Sequence, residues 1–149
     1  MEESLLKEWL CPAIVEESND AIMFSDTRGI IHLWNGGAER MFGYTAQEAL
    51  GQSLDLIIPE NLRQRHWDGY FQVMKSGTSR YSIDMLSAPA IQKGGGRIST
   101  EFSMVLVKDT NGSMLGVASI IRDVTARWQR EKEMKERIKE LEAGQPPAA

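Results

Sequence analysis

A single cysteine, Cys11, stands in a chain of 149 residues. That excludes an internal disulfide and leaves no thiolate spacing for zinc, so a reducing cytoplasm is the expected setting. Histidine is scarce as well, with His32 and His66 alone, so each must be weighed individually. No apolar run approaches the roughly 18 residues needed to cross a bilayer. The amino terminus, MEESLLKEWLC, is acidic where a secretory leader would be basic, and no membrane contact is expected. Positive charge is not in excess: 17 Lys and Arg face 21 Asp and Glu, for a net charge of −4 and a pI near 5.3. A broad nucleic-acid surface is thereby disfavoured. Catalytic motifs are missing too. GGAERMFG and KGGGR lack the lysine-serine or strand-helix context of a phosphate cradle. Asp20, Asp26, Glu39 and Glu48 fall on turns and helix starts, where carboxylates serve as caps. Nothing resembles a nucleophile-base pair, and no kinase, cyclase or DNA-binding segment follows, so the expectation is a non-enzyme whose output is made by contact.

What is present matches an ordinary globular protein, with 42% hydrophobic and 26% charged residues, and one domain of usual size. Leu5, Leu6, Trp9, Leu10 and Ile14 recur at helical intervals and predict a leading helix over 3–17. Two β-prone runs, 21–25 and 30–34, flank Asp26-Thr27-Arg28-Gly29. Asp opens turns and Gly tolerates a positive φ at their ends, so these runs form a hairpin. GGAERMFGY predicts a short helix closed by Gly43. Thr45 and Glu48 have capping-box separation and begin another, ended by Gly51. Pro59 suits the first turn of a longer helix over 60–75, which stops at Gly77. Strands are expected at 79–92, 97–108 and 113–122, followed by a highly charged helix from Thr125 to about Leu141 and a disordered end.

Strands grouped as two and three around a helical insert predict an α+β domain, a five-stranded antiparallel sheet with helices on one face. Ile98, Phe102, Met104 and Leu106 are apolar on one parity of the fourth strand, and Val105 and Val107 on the other. A sheet with one buried face does not require both, so the flanking helices or another subunit are expected to cover the second.

Three motifs carry a resemblance to a known family: D-x-x-G-x-I-x-x-W-N, A-E-x-x-F-G-Y-x-x-x-E-x-x-G, and the closing R-D-V-T-x-R. They span roughly residues 15–127, and the chain resembles a PAS domain, the sensory module of many bacterial signalling proteins. The resemblance implies strand order 2-1-5-4-3 and a pocket between sheet and helices. Asp123-Val124-Thr125 matches the motif that joins the last strand to an output helix. Asn35, Gly36, Gly43, Asp123 and Thr125 read foremost as residues that define the fold.

PAS domains bind flavin, heme, small carboxylates or nothing. The light-sensing flavin branch requires an Asn-Cys-Arg segment on the helix before the third strand, which this chain lacks. Heme remains. Neutral imidazole is a strong axial ligand for iron, and a thioether can take the opposite position. Heme PAS domains place that histidine on the long helix before the third strand. His66 in RQRHWDGYF lies there, and Met85 follows on the predicted third strand at close to the family spacing for the second ligand. The expected function is therefore sensing of a small ligand or partner, relayed through the C-terminal helix. Heme b held by His66 and Met85 is the alternative, with Met104, Ile120 and Trp67 as candidate pocket lining. Against it, alignment on DGY with oxygen-sensing kinases sets their histidine on Trp67, and one helical position turns a side chain by about 100°. Those families also carry an arginine on the third strand, where this chain offers Leu86 and Ser87, with Arg80 earlier. A core or surface role for His66, with Met85 as gap-filling core, is the first reading of these two residues, and heme ligation the second. His32 is a weak candidate.

The expected organisation is an N-terminal amphipathic helix over 1–14, the PAS domain over 15–124, an output helix over 125–142 and a tail over 143–149. A homodimer is expected, together with a downstream signalling protein or output domain as partner. The helical stripe Trp128, Met134, Ile138 and Leu141 keeps heptad spacing only from Met134 onward, so it cannot hold a dimer alone.

Overall fold

A computed structural model of the protein describes residues 2–79 and 85–144. The chain opens with a helix over residues 3–17 (α1), as the apolar spacing predicts, but with a wide π turn at Leu6–Leu10. Pro12 explains the widening: it has no N–H to give the Glu8 carbonyl, and its ring crowds that oxygen, so the preceding turn opens. Strands β1 (Ala21–Asp26) and β2 (Ile31–Trp34) form the expected hairpin, with Gly29 in the left-handed region at φ 80°. Helix α2 (Gly36–Phe42) follows directly, then α3 (Ala46–Ala49), whose Thr45 and Glu48 make both halves of a capping box. Pro59 caps a 3-10 turn at Glu60–Leu62, and this leads into the long helix α4 (Arg63–Ser76), ended by left-handed Gly77. The predicted helix 60–75 is thus a tight turn followed by a helix.

The rest is β3 (Leu86–Ile91), β4 (Arg97–Lys108), β5 (Met114–Asp123) and the trailing helix α5 (Thr125–Ala143). The five strands make one antiparallel sheet in the order β2-β1-β5-β4-β3. One expectation needs correcting. The third strand is shorter than 79–92: its ladder with β4 begins at the pair Leu86↔Phe102, and Ser79 and Met85 lie outside it. Positions 80–84 of that prediction, Arg80 among them, fall outside the described residues.

The core lies between the inner sheet face and α2–α4, around the buried side chains of Ile31, Trp34 and Phe42. Asn35 fastens the start of α2 to the sheet. Its Oδ1 accepts from the backbone N–H groups of Ile22 and Ala38, and its Nδ2 donates to the carbonyls of Val15 and Asp20. All its buried capacity is used, so it stabilises rather than burdens the core.

The outer face of the sheet is different. Val105 and Leu115 are exposed there, and the apolar stripe of α1 does not cover them: Trp9 is 65% exposed. Trp128, Met134, Ile138 and Leu141 on α5 are exposed as well. No described helix is long and apolar enough to cross a membrane.

Candidate functional site

A cavity of about 300 Å³ opens between α4 and the inner face of the sheet. Strand periodicity sets its floor. Alternate residues point the same way, so Thr100, Phe102 and Met104 of β4 and Val117, Ser119 and Ile121 of β5 face inward. Leu54, Ile57 and Ile58, and Leu86, Ala88 and Ala90 of β3, line it as well. The wall opposite the floor is one face of α4. His66, Gly69, Tyr70 and Val73 are three, four and seven residues apart, the spacing that aligns side chains on a helix, and all four line the cavity.

The lining is almost entirely apolar, so its polar members stand out. Thr100 is occupied, its hydroxyl donating to the Ala88 carbonyl at 2.6 Å. Tyr70 is also occupied: its hydroxyl donates to the Asp26 carbonyl at 2.6 Å and pairs with the Ser25 hydroxyl at 2.9 Å. Burial pushes the Tyr70 phenol above its ordinary range, the Ser25 contact offsetting part of the rise. The helix is thereby tied to the β1–β2 turn. At that turn Asp26 binds His32 Nε2 at 2.7 Å and accepts from the N–H groups of Arg28 and Ile30. Burial alone would raise the Asp26 pKa, but these bonds, with the charge of Arg28, hold it down at about 2.

His66 is the exception. Its ring lies edge-on to Trp67, 4.7 Å between centroids, and 5.6 Å from Tyr70. Among the described residues, its Nδ1 is the one buried side-chain nitrogen or oxygen without a hydrogen-bond partner. Burial pushes its pKa below the ordinary histidine value, against a smaller upward pull from Asp55. The imidazole is therefore neutral at pH 7, with a lone pair available on the ring.

The other predicted site residues divide. Met104 lines the cavity. Trp67 does not: it turns toward the hairpin, donates Nε1–H to Asp55 Oδ1 at 2.8 Å and stacks on Phe71. Its ring lies so close over Gly29 that a Cβ there would come within 2.1 Å of it, which is a second reason for glycine in that turn. The concern that a one-residue offset aims His66 away from the pocket is thus resolved by the helix itself, which presents His66 inward and Trp67 aside. Ile120 is on the outer face, opposite Ile22 and Ser103, because the inward parity of β5 belongs to Ser119 and Ile121. Met85 stands before β3, 59% exposed and away from the cavity lining. Gly69, Tyr70 and Ser119 were missed. Counting three, four and seven from His66 would have found the first two. Among the described residues no cluster of three His, Cys, Asp or Glu side chains could hold a metal ion.

The fold and cavity define a class, a sheet-and-helix module enclosing a small apolar pocket with a helix leaving its last strand. Residues 19–126 match the PAS domain family, and the chain belongs to it. Its relatives are signalling proteins. Sensor protein FixL of Bradyrhizobium diazoefficiens is 30% identical over 131 residues, covering 87% of this chain and 25% of that protein. Oxygen sensor protein DosP of Escherichia coli is 24% identical over 133 residues, 89% of this chain and 15% of that one. The chain thus spans a quarter or less of the length of these relatives. Among solved structures, the PAS domain of a Colwellia psychrerythraea protein superposes with a TM-score of 0.70 at 23% identity, over 82% of this chain and 98% of that one. The Cronobacter turicensis RpfR quorum-sensing receptor PAS domain in complex with C12:0 superposes with a TM-score of 0.60 at 20% identity, over 74% and 99%. The chain is a PAS sensory domain of the kind found in signal-transduction proteins.

Proposed function

We propose that this domain senses through a heme held in the cavity, with His66 as axial ligand. The observation that carries the reading is the unpartnered, neutral imidazole on an apolar cavity wall. A buried nitrogen without a partner costs about 1–3 kcal/mol, and folds rarely retain one unless something binds there. The apolar floor suits the body of a porphyrin, whose carboxylates can stay in water at the mouth. The oxygen sensor DosP among the relatives supports the same reading. Bound heme would supply an iron centre able to respond to a gas or to redox state. Met23, Met74 and Met104 carry the thioethers on the cavity wall, and Met85 is not among them.

This chain's own residues supply the relay. Ser119 and Ile121 form part of the floor, and β5 continues from them to Asp123 and the start of α5. There the Thr125 hydroxyl accepts from the Ser99 N–H at 2.9 Å, and the Val124 N–H donates to the Ser99 carbonyl at 2.9 Å. Arg127 pairs with Glu101 of the neighbouring strand. A shift in the floor therefore reaches α5 through two strands, and α5 acts on a downstream output domain or partner.

A second reading, a medium-chain acyl ligand, is favoured by the apolar lining. It finds weaker support in the polar group, because a carboxylate beside neutral His66 gains no charge partner.

Hemin titration of the purified chain decides between them. The expected result is a saturable Soret band near one equivalent, lost in His66→Ala, while Met85→Leu leaves it unchanged. An identical spectrum in His66→Ala removes the ligation hypothesis. Saturable binding of dodecanoate with no hemin binding selects the acyl reading.

A further inference from the structure

We infer that Gly69 is a specificity determinant of this pocket, kept without a side chain so that a broad, flat ligand can lie over the inner face of α4. This rests on the heme reading above. Gly69 sits in the interior of α4, eight residues from the glycine that ends the helix. Its φ is not positive, its conformation is helical, and no turn or bulge calls for glycine there. Packing does not call for it either: a Cβ built at Gly69 meets nothing within 4 Å. Glycine in a helix interior is also the poorest ordinary choice, because the unfolded chain gains most freedom from it. Neither local conformation nor the packing of this chain explains the residue.

Its position explains it. Gly69 lies on the cavity wall three residues after His66 and immediately before Tyr70, on the face that all three share. A ring held by the His66 imidazole would extend over the positions one turn along that face. Tyr70 is pinned by two hydrogen bonds and cannot withdraw. At position 69 the ring would meet backbone without a side chain. A linear acyl chain can bend past a side chain at that point, whereas a rigid macrocycle has no such freedom. The glycine therefore selects for the planar ligand class.

The test is hemin titration of the full chain, followed at the Soret band, with thermal melting of each protein in the absence of hemin. Gly69→Ala and Gly69→Leu are compared with the unaltered chain. Both variants are expected to fold, and Gly69→Ala to melt about 2–4 °C higher because helix propensity improves without a clash. Hemin affinity should fall at least tenfold in Gly69→Leu and less in Gly69→Ala, while dodecanoate binding, if present, is unaffected. Equal hemin affinity in the unaltered chain and Gly69→Leu overturns the assignment of Gly69 and leaves His66 ligation standing. If Gly69→Leu fails to fold, unchanged affinity in Gly69→Ala and in Gly69→Val overturns it in the same way. Absence of hemin binding in the unaltered chain overturns both.

Discussion

His66 stabilises the empty protein less than an apolar residue of similar size would. Its buried Nδ1 has exchanged water for nothing, and the loss is about 1–3 kcal/mol. Replacing it by leucine should therefore raise the stability of the ligand-free chain by about 1 kcal/mol while abolishing hemin binding, read from urea unfolding and the Soret band. The pH dependence has a definite sign. The folded-state pKa is depressed, so below about 6.5 the unfolded chain takes up a proton at this site that the folded chain resists. Stability should fall as pH drops from 7.5 to 5, and His66→Leu should flatten that slope. An unchanged slope in the variant would show that the site contributes nothing to it. The same residue shows where sequence reading reached its limit. That a histidine lies on the long helix is visible in RQRHWDGYF, but its direction is not, because one position is a third of a turn. The aim of His66 depends on Trp67 turning to Asp55 and Gly29, contacts 12 and more residues away in the chain.

The elements were more legible than the site. Glycine and asparagine placed the turns: Asp26 to Gly29, Gly43, Gly77 and the Asn111-Gly112 connection all bound the elements expected of them. Local chemistry determines these, since a left-handed residue or a capping carboxylate acts within a few positions. The third strand is shorter than expected because its alternation of apolar residues continues upstream, whereas Met85, just before Leu86, is not part of the strand. Ile120 and Ile121 show the same limit, for two adjacent isoleucines leave the parity of β5 undecided until its register with β1 and β4 is known. One link between elements can be tested directly. Tyr70→Phe keeps the ring on the cavity wall but removes the hydroxyl that ties α4 to Asp26 and Ser25. It should destabilise the chain by about 1–3 kcal/mol and speed amide hydrogen exchange in the β1–β2 turn more than elsewhere. Uniform loss of protection across the sheet would show that the tie has no local role.

For the whole molecule, the uncovered apolar surface predicts self-association. Trp9 and Ile14 on α1, Val105 and Leu115 on the sheet and the stripe of α5 are each exposed in the single chain. We propose that a second copy covers them. Sedimentation of the full chain against one lacking residues 1–14 should give a dimer and a monomer respectively at micromolar concentration. A monomer in both would show that no second copy is needed. The strand order has a further consequence, for folding on the ribosome. β1 finds its inner neighbour only in β5, with Ala21 opposite Ile121, a separation of 100 residues, so the two halves of the sheet have no ladder between them until the last strand emerges. Such non-local closure is slow, of the order of milliseconds to seconds, because the loop entropy is lost before the contacts form. Until then the nascent chain holds a β1–β2 hairpin and a β3–β4 hairpin, each with an unpaired inner edge open to other chains. A chain ending before Met114 is thus two open-edged hairpins rather than a smaller domain, and its fate is aggregation.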